Sequence, residues 1–150
     1  AAARLVLRET VLELFGLGDP HIRYDDAEKM RNALTALGPG ASDGSGAGIA
    51  RLGVVHAPYQ AALNELLNSG AQVIFAGHTH GGQVRVPGVG ALTANCDLPT
   101  AQARGLSVWY DAQEAAFLNV SAGLGASIYA PVRFACRPEA SLLTLEAVRD

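Results

Sequence analysis

The apolar run at residues 73–76 constrains the fold more than any other feature of this chain. Its sequence, Val-Ile-Phe-Ala, has no polar side chain, which is typical of a short strand covered on both faces. A second strand is predicted at residues 49–55, and a helix at residues 59–68 lies between the two, with Pro58 at its start. This order predicts a right-handed β-α-β unit with two neighbouring parallel strands.

The rest of the chain predicts further elements of both kinds. We expect strands at residues 4–15, 83–86, 106–110, 116–120 and 141–146, of which 106–110 and 116–120 form a pair. A second helix is predicted from Asp25 or Asp26 to Gly38, and a flexible glycine-rich loop at residues 38–48. The chain is therefore expected to be a single α/β domain over residues 1–150, with a mixed sheet and flanking helices.

Composition excludes several classes of protein. Hydrophobic residues make up 49% of the chain and charged residues 17%, so a buried core is available and global disorder is not expected. The 11 basic residues are scattered and outnumbered by 14 acidic ones, so there is no nucleic-acid footprint and no polybasic membrane patch. Cys96 and Cys136 lack Cys-x-x-Cys spacing, which excludes zinc-ribbon and thioredoxin-like motifs.

The chain starts at Ala1 and its first methionine is Met30. We therefore expect it to begin inside a longer open reading frame. A signal or membrane anchor would lie upstream, so the localisation, cytoplasmic or membrane-associated, is left open.

The segment at residues 77–83, Gly-His-Thr-His-Gly-Gly-Gln, is the strongest indication of chemistry. In an extended backbone, His78 and His80 would point to the same side, at the carboxyl end of a strand where open α/β sheets place their sites. His56 occupies the equivalent position after the preceding strand. If the two strands are neighbours, three imidazoles share one rim, and neutral imidazoles bind Zn, Mn or Fe. The alternative is that they are hydrogen-bonded surface or core histidines.

These residues also carry a resemblance to a known family. Gly77 to Gln83 resembles the Gly-His-x-His signature of calcineurin-like metallophosphoesterases, and the Gly-Gly-Gln extension is similar to the bacterial YkuE-like subgroup. Residues 53–58, Gly-Val-Val-His-Ala-Pro, resemble that subgroup's strand ending in His-x-Pro. Residues 16–21 resemble its Gly-x-Asp-Asp-Pro segment, with Gly18 in place of the first Asp. The segments 121–125, 131–134 and 142–145 resemble its closing region.

The resemblance implies hydrolysis of a phosphate mono- or diester by two divalent metal ions, Mn, Fe or Zn. Such a pair clamps the attacking and leaving oxygens and makes water acidic enough to attack. By matching positions, His56 and His78 would bind one metal and His80 the other, whereas Gln83 matches no ligand. The implied fold is the C-terminal half of a four-layer αββα sandwich.

The family's earlier motifs, Asp-x-His, Gly-Asp-x-x-Asp and Gly-Asn-His, are not present in this chain. Ile22 stands where Gly-Asp-x-x-Asp needs its second Asp, so we expect Asp19 and His21 to be turn and loop residues and not ligands. No catalytic residue is assigned, because the bridging carboxylate and the acid histidine would belong to a missing N-terminal half. We expect the isolated chain to bind metal weakly, to be inactive, and to self-associate through the sheet face that this half would cover.

Three functional hypotheses therefore remain. The first is a fragment of a two-metal phosphoesterase. The second is a catalytically incomplete metal-binding or regulatory module, which a start codon close to Ala1 would favour over the first. The third is a structural α/β domain with surface histidines, which unchanged metal content after replacement of His78 and His80 would support.

Overall fold

The computed structural model describes residues 1–7, 10–38 and 49–146. Its main feature is a six-stranded sheet in the order β1-β2-β3-β4-β8-β7. The elements are, in chain order, β1 (Ala2–Leu7), β2 (Thr10–Gly16), α1 (Ala27–Ala36), β3 (Ala50–Val54), α2 (Gln60–Asn68), β4 (Val73–Ala76), β5 (Arg85–Val86), β6 (Gly90–Ala91), β7 (Gly105–Tyr110) and β8 (Ala115–Val120). Short 3-10 turns occur at Pro20–Ile22, His80–Gly82 and Thr100–Gln102, and β5 and β6 form a separate small sheet.

The sheet is mixed, as predicted. The four central strands β2, β3, β4 and β8 run parallel, and the edge strands β1 and β7 pair antiparallel with β2 and β8. The predicted β-α-β unit is confirmed, because β3 and β4 are parallel neighbours joined through α2. The carboxyl ends of β2, β3 and β4 therefore meet at one edge of the sheet, which we call the rim.

Both helices cover the same face of the sheet, here called the helix-covered face. Asp26 begins α1 by accepting a hydrogen bond from the backbone N–H of Lys29 at 2.8 Å, which satisfies a donor that the first turn leaves free. Met30 of α1 is fully buried, as is Leu66 of α2. They pack in one cluster with inward residues of the strands, including Phe15, Ile74 and Leu118.

One carboxylate is also buried on this face. Glu13 is 2% exposed and accepts hydrogen bonds from Arg4 Nη2 at 2.6 Å and from Arg51 Nε at 2.8 Å. Burial raises the pKa of the Glu13 carboxyl, but the hydrogen bonds and charges of the two arginines outweigh burial and hold the pKa below its ordinary value of 4.5. Glu13 is therefore ionised, and its hydrogen bonds to the two arginines link β2 to β1 and to β3.

The opposite face of the sheet is apolar as well, yet no helix in the described ranges covers it. We call it the open face. Seven of its aliphatic or aromatic side chains are between 36% and 60% exposed: Leu5, Leu7, Leu14, Val54, Leu106, Val108 and Phe117. Residues 141–146 cross part of this face, where Leu143 and Leu145 line a groove with Phe117.

Three predicted strands differ from the structure. The strand structure predicted at residues 4–15 is confirmed for residues 4–7 and 10–15, but these belong to two antiparallel strands, β1 and β2, and not to one. The final strand predicted at residues 141–146 is wrong, because this segment pairs with no strand in the described residues and lies against the open face. The strand predicted at residues 83–86 is confined to Arg85–Val86.

The other predicted elements are confirmed to within a few residues. The loop predicted at residues 38–48 lies outside the described residues except for Gly38, whose φ of 69° follows the end of α1. In the part of the chain that the structure describes, no helix is both long enough and apolar enough to span a bilayer.

Candidate metal centre

His56 and His78 meet at the rim, as their positions after β3 and β4 predict. His56 Nε2 lies 3.3 Å from His78 Nδ1, and the two rings are nearly perpendicular, with centroids 5.2 Å apart. The backbone joins the same two loops, because the Gly77 N–H donates to the His56 carbonyl at 2.9 Å. The adjacency predicted from the β-α-β unit is therefore confirmed.

The remaining nitrogen of His78 is held by Asn95. His78 Nε2 lies 3.2 Å from the Asn95 carbonyl oxygen and 3.1 Å from Asn95 Nδ2. The carbonyl accepts from an Nε2–H, which leaves the lone pair on Nδ1, facing His56, whereas the amide donates to an unprotonated Nε2. The carbonyl contact is the one that suits metal binding through Nδ1. Burial lowers the pKa of His78 below its ordinary value of 6.5, the Asn95 hydrogen bond opposes this, and the charges of His21 and His56 lower the pKa further. His78 is therefore neutral at pH 7, which is the state that binds metals.

The spacing of the two nitrogens suits a shared cation. Two imidazole nitrogens, each about 2.0–2.1 Å from a tetrahedral ion, lie about 3.3–3.4 Å apart. A ligating histidine commonly donates its other N–H to a carbonyl, and the Asn95 carbonyl lies within hydrogen-bond distance of His78 Nε2 for this purpose. A direct hydrogen bond between the two rings fits the 3.3 Å separation equally well. The pair thus fits one cation as two of its ligands.

The backbone around His78 is not extended, contrary to the prediction. His78 has φ 64° and His80 has φ 50°, on either side of Thr79 in the right-handed helical region. Thr79 is 3% exposed, its hydroxyl donates to the Ala103 carbonyl at 2.6 Å, and the same oxygen accepts from the Gly81 N–H at 3.2 Å. These bonds favour a tight turn, so the alternation that would point both histidines to one side does not apply.

His80 is consequently apart from the pair. Its carbonyl oxygen accepts from Arg133 Nη1 at 3.3 Å and from Cys136 Sγ at 3.4 Å. Across the described residues, its imidazole has no hydrogen-bond or ring partner, and no group of three or more His, Cys, Asp or Glu side chains converges as a metal site. The second metal predicted at His80 would thus find one imidazole from this chain.

Much of the glycine-rich segment serves packing. A Cβ on Gly82 would lie 2.3 Å from the Ala91 Cβ, and one on Gly81 would lie 2.8 Å from Cys136 Sγ, so neither position accepts a side chain. Gln83, which matches no family ligand, accepts from the Ser127 N–H at 2.8 Å and donates to the Ala130 carbonyl. These residues attach the histidine turn to its neighbours.

The loop after β2 brings a third imidazole to the rim, which sequence reasoning missed. Asp19 is a turn residue, as predicted, and its carboxylate caps the 3-10 turn by accepting from the His21 N–H at 2.9 Å. The His21 ring, however, lies against His78, with centroids 4.6 Å apart. Gly18 is required here, because a Cβ would come within 2.2 Å of the Tyr24 carbonyl oxygen. The signal that was available is the position of His21 after a third parallel strand.

Comparison with known proteins leaves the family open. No family model matches the chain, and neither the curated proteins nor the solved structures contain a match to it.

Proposed function

We propose that this chain forms part of the metal centre of a metal-dependent phosphoesterase. The observation that carries the proposal is the 3.3 Å separation of His56 Nε2 and His78 Nδ1, with His78 Nε2 engaged by the Asn95 carbonyl. Two imidazoles in this arrangement are suitable ligands for Zn, Mn or Fe. The resemblance of residues 77–83 to the Gly-His-x-His signature gives the reaction class, and His80 is the proposed ligand of a second metal.

In this role the chain binds and orients, and other groups complete the centre. The Asn95 carbonyl accepts from His78 Nε2 in the tautomer that binds metal through Nδ1, and the Thr79 hydrogen bonds hold the turn that carries His78. When bound, divalent cations would supply Lewis-acid stabilisation of the phosphoryl charge and of the attacking oxygen. Two imidazoles are fewer ligands than a catalytic site needs, so carboxylates must come from elsewhere.

We further propose that a second sheet packs on the open face and brings these carboxylates. The αββα sandwich that the resemblance implies is a stacking of this kind, with sheets about 10 Å apart. The apolar character of the open face supports it, because Val54, Val108 and Phe117 would otherwise face water. The alternative is a metal-binding or regulatory module without catalysis.

Metal content separates these possibilities. After dialysis against Mn²⁺ or Zn²⁺, the wild-type chain is expected to bind the metal ion weakly, at about one equivalent. His56→Ala and His78→Ala should each lose that equivalent. Gln113→Ala, in the exposed turn between β7 and β8, is the control and should bind as the wild type does. Binding that is unchanged in both histidine variants would overturn the metal reading. Tight binding of two equivalents would overturn the view that the centre is incomplete.

Activity tests the reaction class. A protein in which a second sheet covers the open face and brings carboxylates to the rim is expected to hydrolyse a phosphate mono- or diester in a panel of esters. His78→Ala should abolish that activity without unfolding the protein. Metal binding with no turnover of any ester would favour the regulatory module.

A further inference from the structure

His21 is the one described histidine whose position the proposed metal ligation does not explain. It follows β2 just as His56 follows β3 and His78 follows β4, so three parallel strands each send one imidazole to the rim. Its ring lies beside the ring of His78 at an angle of 46°, whereas His56 meets His78 nitrogen to nitrogen. His21 is thus placed next to the ligand pair, with a ring-to-ring contact to His78 in place of the nitrogen-to-nitrogen contact that His56 makes.

Tyr59 holds the His21 ring in this place. The Tyr59 hydroxyl lies 3.0 Å from His21 Nδ1, and Tyr59 is the N-cap residue immediately before α2, directly after the buried Pro58. Burial raises the pKa of the Tyr59 phenol, as do the charges of Cys96, Asp97 and Asp19, so the phenol stays protonated at neutral pH. The bond therefore occupies Nδ1, and in the described ranges Nε2 has no protein partner.

The backbone below His21 is also fixed. Pro20 precedes it in the 3-10 turn, the Asp19 carboxylate accepts its N–H, and the Tyr24 N–H closes the turn on the Asp19 carbonyl at 2.9 Å. An exposed imidazole that is held at both its backbone and one ring nitrogen has lost much of its rotational freedom. Such preorganisation lowers the entropic cost of binding a ligand through the other nitrogen.

We infer that His21 is a substrate-binding residue, whose Nε2 donates a hydrogen bond to a phosphoryl oxygen of the ester held at this rim. The inference rests on the proposed function, since it takes the His56 and His78 pair as the metal-binding side of the site. A phosphoryl group beside that pair lies within a few ångström of the His21 ring, because the rings of His21 and His78 are in contact. Hydrogen bonds to charged oxygens are among the stronger ones that proteins make.

Two substitutions of His21 distinguish its two nitrogens. The amide nitrogen of His21→Gln reaches the place of Nε2, and that of His21→Asn reaches the place of Nδ1, which faces Tyr59. The measurement is the affinity of the chain for inorganic phosphate, by calorimetry at saturating Mn²⁺, together with Mn²⁺ affinity itself. We expect His21→Asn to weaken phosphate binding about tenfold and His21→Gln to retain most of it, with Mn²⁺ affinity unchanged in both.

The wild-type chain supplies a readout that needs no substitution. The ¹⁵N resonance of His21 Nε2 is expected to shift when phosphate is added to the chain loaded with a diamagnetic ion, Zn²⁺. An unshifted resonance, or phosphate affinity equal in wild type and His21→Asn, would overturn the inference while leaving metal binding intact. Loss of Mn²⁺ in His21→Asn would overturn it in favour of a metal-ligand role. A wild-type chain that binds no metal at all would overturn the proposed function and this inference with it.

Discussion

The two faces of the sheet are built by the same strands and are similarly apolar, yet they differ in burial. On the helix-covered face, Phe15, Ile74 and Leu118 are at most 2% exposed. On the open face, their sequence neighbours Leu14 and Phe117 are 36% and 55% exposed. Alternation along a strand assigns a side chain to a face, and only the layer packed on that face decides whether water reaches it. Both faces of the sheet therefore carry apolar side chains that a packed layer would bury, and the helices bury those of one face only.

The largest expected difference between the faces is in core packing. Leu118→Ala should lower the free energy of unfolding by about 2–5 kcal/mol, because it leaves a cavity among α2 and the inner strand residues. Leu106→Ala on the open face, 60% exposed, should cost less than about 1 kcal/mol, since little buried area is lost. Urea denaturation of the two variants measures the comparison. Equal losses would mean that a further layer already buries the open face in solution.

The buried carboxylate gives a second contrast, this time with the solvent-exposed pair Arg31–Glu65. Glu13→Gln should destabilise the protein by about 1–3 kcal/mol, because it leaves the Arg4 and Arg51 guanidinium groups without their charged acceptor. Glu65→Gln removes a pair whose side chains are 51% and 38% exposed, and should cost less than about 1 kcal/mol. Thermal or urea unfolding at pH 7 compares the two.

The same variant has a defined pH dependence. The folded-state pKa of Glu13 lies below its ordinary value of 4.5, so its stabilisation is fully present above pH 4.5 and is lost as pH falls through the folded-state pKa. The unfolding free energies of wild type and Glu13→Gln should therefore differ by a constant amount above pH 5 and converge in more acidic solution. A difference that grows with acidity would contradict this assignment of charge.

The smallest effect on stability, and the clearest on assembly, is expected at the edge of the open face. Leu106→Lys should change the unfolding free energy by no more than about 0.5 kcal/mol, because the position is exposed. It should nonetheless reduce the self-association expected of the wild-type chain, since a charge on this face opposes stacking of two apolar sheets. Leu92→Lys, 58% exposed and outside the sheet, is the matched control. Light scattering that reports a monomer for the wild type would contradict the expectation.

The parallel strands at the centre of the sheet were predicted well from the sequence, whereas the β1–β2 hairpin and the segment 141–146 were not. Residues 73–76 and 49–55 were recognisable because a fully apolar run and a β-α-β order leave few alternatives. The β1–β2 hairpin was missed because apolar residues continue on both sides of residues 8–9, without a glycine, proline or asparagine to mark a turn. The segment 141–146 has strand-like composition, but pairing depends on a free sheet edge, which no local pattern reveals.

The candidate site was predicted in part for the same reason. His56 and His78 follow from strand adjacency, which the chain order encodes. The turn at Thr79 depends on the Ala103 carbonyl, and the place of His21 depends on Tyr59, so both rest on contacts between distant parts of the sequence. Local reasoning about an extended His-x-His pair could not include them.

The pairing of β4 with β8 also sets an order of events for folding. The β7–β8 hairpin is local, whereas β8 joins β4 only after residues 77–114 have been closed into a loop. Closing such a loop costs entropy before any ladder bond is gained, so we expect this step to be late and slow. The histidine turn stands at the base of that loop. The metal affinity that we propose for His56 and His78 should therefore be acquired in the slowest refolding phase, together with the last strand of the parallel centre.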